Sequence, residues 1–102
     1  MFVLQIEHEV LDYVSWKKSF DGDPKGRTEL GVSQYEVFCL TNNPNFVIVN
    51  FWFEDINQAE NSLAFLRNLW DTDSGSHKES PTIRIFDMID WDFMDKPGHK
   101  LN

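Results

Sequence analysis

The chain has 102 residues, with 17 acidic and 9 basic side chains and a formal net charge of −8. That length fits one domain. The acidic balance argues against nucleic acid and anionic membrane surfaces, because both are gripped by Lys and Arg; its plain reading is solubility.

Nine Phe, four Trp and two Tyr are a heavy aromatic load for this length. Each ring brings about 150–250 Å² that needs cover, so a compact globule is expected rather than a disordered chain. Cys39 is the single cysteine, so no intrachain disulfide can form. Its apolar neighbours Val37, Phe38 and Leu40 predict a small buried hydrophobe. The opening Met1-Phe2-Val3-Leu4 reaches Glu7 at once, without a basic n-region, a long apolar h-region or a run fit to span a bilayer. The cytoplasm is the expected compartment.

Residues 2–10 alternate, with Phe2, Leu4, Ile6, His8 and Val10 on one side and Val3, Gln5, Glu7 and Glu9 on the other. Period two predicts a strand with a buried and a wetter face. Asp12 can cap a helix over 13–21 that aligns Tyr13, Trp16 and Phe20. Residues 21–26 (DGDPKG) break it, and a short helical turn follows before Gly31. Residues 32–41 and 46–53 are rich in β-branched and aromatic types, and Asn42-Asn43-Pro44-Asn45 between them predicts a hairpin turn. A helix at 56–70 has a cap-like Asp55 and Gln58 and an apolar stripe of Ile56, Ala59, Leu63, Leu66 and Trp70. A polar loop spans 71–80, a last strand 82–89, and an aromatic tail follows.

The order β-α-β-β-α-β predicts an α+β, ferredoxin-like domain: a four-stranded antiparallel sheet with both helices on one face. The domain is expected over 1–90 and the tail over 91–102. The strand 46–53 is apolar on both sides, with Asn50 its only polar residue. Helices cover one face alone, so a second copy packed sheet against sheet is the expected cover for the other.

The runs IEHEVLDYVSWKKSFD, GVSQYEVF, NPN and VNFWFEDINQAENSL resemble the dimeric α/β-barrel superfamily, in particular its antibiotic-biosynthesis-monooxygenase-like branch. The resemblance covers about residues 4–66. It implies a homodimer, and activities ranging from cofactor-free oxygenation of polyaromatic compounds through haem degradation to decarboxylation or dehalogenation. Fold alone does not choose among these. Oxygenase members place Asn and Trp around a pocket between helices and sheet. Haem-degrading members use an Asn on the first strand with a Trp and a ligating His on the second helix. Here His8 stands at the first-strand position, Leu66 and Leu69 stand where that Trp is sought, and Trp70 and His77 come at or beyond the helix end. That departure disfavours the haem reading.

His8 interrupts an apolar face, so it should point beneath the helices near Trp16 and Phe20. There it can serve as a general base or orient a substrate, or simply be a satisfied buried imidazole. A four-residue hairpin connection would pair Val37 with Asn50 and Tyr35 with Trp52. Tyr35, Asn50 and Trp52 would then share one face, as a substrate platform or as packed polar aromatics. Trp16, Phe20 and Trp70 complete the candidate binding residues. Asp87, Asp90, Asp92 and Asp95 lack the glycine turn and closing Glu of a calcium loop. His77 and His99 lack partners at ligand spacing. No metal or cofactor is expected.

Three functions compete. One is a cytosolic homodimer binding a small apolar or aromatic molecule between helices and sheet. Another is a cofactor-independent, monooxygenase-like enzyme using His8. The third is a structural or assembly protein docking through Trp91 and its neighbours. The first ranks highest, because no catalytic constellation is complete.

Overall fold

The computed structural model describes residues 1–72 and 81–92. The elements are β1 (Phe2–Glu9), α1 (Tyr13–Asp21), α2 (Pro24–Leu30), β2 (Gln34–Leu40), β3 (Asn43–Phe53), α3 (Ile56–Thr72) and β4 (Thr82–Asp87). They build an antiparallel sheet of order β2-β3-β1-β4, with β3 and β1 central. This is the ferredoxin-like α+β arrangement, with α2 as an extra short helix.

Alternation decides which residues meet the helices. From β1, Leu4, Ile6 and His8 are buried, as is Val10 just beyond it; from β3, so are Val47, Val49, Phe51 and Phe53. Ala59 and Leu66 of α3 close the core from above, and Tyr13, Trp16 and Phe20 of α1 pack on it. Burial of such side chains contributes roughly 1.5–3 kcal/mol each relative to exposure.

The helix boundaries follow from capping chemistry. Asp12 is extended, and its carboxylate accepts from the Ser15 amide at 2.9 Å, which starts α1. Gly22 ends α1, and Asp23 at once caps α2 by accepting from the Gly26 amide at 3.1 Å. Pro24, a breaker in the interior of a helix, sits at the first position of α2, where its missing N–H costs nothing. The expected short turn is therefore a helix of its own. Gly31 closes it with φ of 90°, a left-handed conformation that favours glycine. A Cβ there would also come within 2.6 Å of the Gln58 side chain. In α3, the Asp55 carboxylate accepts from the Asn57 amide at 2.8 Å, whereas Gln58 packs on Gly31.

The β2–β3 hairpin departs from expectation. Its turn is Thr41-Asn42, and Asn43, Pro44 and Asn45 belong to β3. A bulge at Cys39/Leu40 absorbs the difference: Leu40 pairs with Asn43, but Cys39 pairs with Val47. Tertiary bonds hold the Asn-Pro-Asn stretch in the strand. The Asn45 carbonyl accepts from the Val10 amide at 2.8 Å, and its side chain accepts from the Tyr13 amide at 2.9 Å. Asn43 donates to Glu9 at 3.2 Å. The resulting register is Val37↔Val49 and Tyr35↔Phe51, one residue from the expected pairing. A one-residue slip reverses faces. Tyr35 therefore lies on the helix side, apart from Asn50 and Trp52 on the open side. Cys39 is exposed, contrary to expectation, because it falls at the bulge of edge strand β2.

Candidate functional site

A cavity of about 750 Å³ opens between α1, α2 and α3 above the sheet. Phe51 contributes from the sheet, Trp16 and Phe20 from α1, Leu30 from α2, and Phe65, Leu66 and Leu69 from α3. Leu11, Phe65 and Leu69 are 58, 53 and 46% exposed, so their apolar surface stands open around the cavity. Exposed apolar surface gathered at one concave place marks a binding site more often than scattered residues do. Cavities of roughly 300–1,000 Å³ suit small organic molecules.

The aromatic side chains form a chain of ring contacts. Phe20 stacks on Trp16 with centroids 5.2 Å apart, and lies nearly parallel to Phe51 at 6.3 Å and 7°. Tyr35 meets Phe20 edge-on at 5.3 Å. Arg27 of α2 completes the group: its guanidinium carbon is 4.1 Å from the Phe20 ring centroid and 4.8 Å from that of Tyr35. It also donates to the Phe20 carbonyl at 2.7 Å. The α1–α2 turn is thereby fastened over the core, with a cation–π contribution of about 0.5–1 kcal/mol per ring at such sites.

His8 lies behind this wall. It is 8% exposed and makes an edge contact with Trp16, centroids 6.1 Å apart at 71°, and it is not among the cavity's lining residues. The sequence thus brings His8, Trp16 and Phe20 together as expected, but Trp16 and Phe20, not His8, face the cavity. Trp70 falls in the last turn of α3; its side chain, like His77 and His99, lies outside the described residues.

Asn50 and Trp52 belong instead to the open face. There a row of polar side chains crosses all four strands. Asn50 donates to Glu36 at 3.5 Å, Gln5 to Asn50 at 3.1 Å, and Arg84 to Gln5 at 3.2 Å. Trp52 joins through its indole N–H to Glu36 at 3.0 Å, and Arg84 pairs with Glu7 at 3.0 Å. Trp91 meets the Trp52 ring edge-on at 6.4 Å.

Arg27, Phe65 and Leu69 also line the cavity and are not among the candidate residues that the sequence pattern offers. The last two were legible as an arc flanking Leu66 at helical spacing. Arg27 was not, since its stacking depends on α2 folding back toward Phe20. Among the described residues, no three His, Cys, Asp or Glu side chains converge as metal ligands would. Nor is any helix there long and apolar enough to cross a membrane.

No protein-family model and no curated protein matches the chain. Among solved structures, it is similar to an antibiotic biosynthesis monooxygenase, with TM-score 0.62 and 14% identity over 88% of this chain and 100% of the other. It is also similar to a dimeric ferredoxin-like protein from an uncultured marine organism, with TM-score 0.58 and 11% identity over 88% and 96% of the two chains. The fold is therefore ferredoxin-like, of the kind found in antibiotic-biosynthesis-monooxygenase-like proteins.

Proposed function

We propose that this protein is a cytosolic homodimer that binds a small apolar or aromatic molecule in the cavity between its helices and sheet. The observation that carries the reading is the cavity itself, with an aromatic floor and exposed Leu11, Phe65 and Leu69 around it. Binding is favoured over a cofactor-independent, monooxygenase-like activity because His8, the catalytic candidate, stands behind Trp16 rather than in the cavity.

Support for the homodimer comes from the open face, where Phe38 and Phe86 are 49 and 41% exposed. Half-buried Ile48 and Trp52 extend that apolar surface around the polar row. A partner sheet would cover it, and a neighbour of the same fold is described as dimeric.

The test is calorimetric titration of a neutral naphthyl probe into the wild type and Leu69→Trp. Leu69 is exposed, so the larger ring occupies cavity space without disturbing the core. A loss of affinity of about tenfold or more supports the reading, on the scale of one apolar group's contribution. Equal affinity in both proteins, with the probe bound, moves the binding site elsewhere and refutes it.

A further inference from the structure

We propose that Arg27 makes this cavity selective for molecules that join an apolar or aromatic body to a carboxylate, an inference that rests on the binding role above. Arg27 is the one basic residue among the described residues lining the cavity. Its guanidinium carbon lies over the Phe20 and Tyr35 rings, 4.1 and 4.8 Å from their centroids, and its only hydrogen bond among the described residues goes to the Phe20 carbonyl. No described carboxylate forms an ion pair with it. A guanidinium has five N–H donors in a rigid fork that matches a carboxylate. One anchoring bond fixes this fork and leaves donors for a bidentate partner.

Asp12, Asp23 and Glu29 also line the cavity, and their field opposes an anion. Two facts weaken that opposition. The carboxylates of Asp12 and Asp23 already accept the Ser15 and Gly26 amides at the starts of α1 and α2. All three residues are exposed, whereas Arg27 is half-buried. Charges in water act through a dielectric of about 80 and are screened further by salt, while a partly desolvated guanidinium is screened less and acts more strongly on a group in contact with it. A ligand with its ring against Trp16, Phe51 and Leu66 and its carboxylate on Arg27 uses both the apolar floor and the cation.

The experiment titrates three probes of one shape into the full chain: naphthoate, naphthamide and naphthylmethylammonium. The wild type is expected to prefer naphthoate to naphthamide by about 10- to 100-fold, the worth of charge-assisted hydrogen bonds. Arg27→Gln should erase that preference, bringing the ratio of naphthoate to naphthamide affinity to about one, and Arg27→Lys, which keeps the charge but loses the fork, should give a ratio between. Naphthamide binding as tightly as naphthoate, or a preference for the ammonium, overturns the inference while the cavity's binding role stands. Failure of all three probes to bind overturns the binding role and the inference with it. Should Arg27→Gln melt at room temperature, the wild type's ranking of the probes still decides.

Discussion

The two faces of β3 are made by one run of residues and have different chemistries. Val47, Val49, Phe51 and Phe53 point toward the helices and are nearly inaccessible. Phe46, Ile48, Asn50 and Trp52, interleaved with them, point the other way and are half-buried. On the covered side, side-chain volume does the specifying, since close-packed interiors respond to a single methylene. On the open side, hydrogen bonds do more: Glu36, Asn50, Gln5 and Arg84 link the four strands in one row, with apolar side chains on either hand. Hydrophobic patterning alone describes the first face well and the second poorly.

The sharpest way to break this comparison is to truncate one aromatic on each side. Phe53 is fully buried, so Phe53→Ala should cost about 3–5 kcal/mol in urea unfolding. Phe86, 41% exposed on the open face, should cost roughly 1 kcal/mol or less on truncation if measured in a monomeric background. Similar losses at both positions would mean that the open face is as tightly specified as the covered one.

A second, smaller effect tests what the open face is for. Ile48→Glu places a charge amid Phe38, Trp52 and the polar row. If a second copy covers this face, light scattering should show the wild type as a dimer and the variant as a monomer with unchanged far-ultraviolet circular dichroism. A wild type that is already monomeric at micromolar concentration contradicts the homodimer. A dimer that survives Ile48→Glu moves its interface to another surface.

Much of the covered face was legible because it depends on local rules. The Asp12 cap, the Tyr13–Asp21 helix, the apolar side of β1 and the α3 stripe are set by capping and by periods of 3.6 and 2. What depended on distant partners was not legible. Asn-Pro-Asn has the composition of a turn, and only its bonds to Val10, Tyr13 and Glu9 draw it into β3. The resulting one-residue shift in register puts Tyr35 on the opposite face from Asn50 and Trp52, so the expected three-residue platform does not form. Arg27 shows the same limit: no periodicity announces that a guanidinium will lie over rings contributed by α1 and β2. The candidate site was thus half visible, its aromatic wall foreseen and its cation not.

The smallest expected effect concerns the cap that seats α1 on the covered face. The Ser15 backbone amide, and secondarily its side chain, hold the Asp12 carboxyl below its ordinary value of 3.8, with slight desolvation acting the other way. The folded value is thus lower than the unfolded one, so ionised Asp12 favours the fold. Its contribution is fully present above pH 3.8 and is lost as pH falls through the depressed folded value. Asp12→Asn keeps an acceptor for the amide but has no charge to lose. The thermal midpoint of the wild type should therefore exceed that of the variant at neutral pH, and the gap should close in acid. A gap that is constant from neutral pH into strong acid would show that the carboxylate's charge contributes nothing here, and that Asp12 seats α1 through its hydrogen-bond geometry alone.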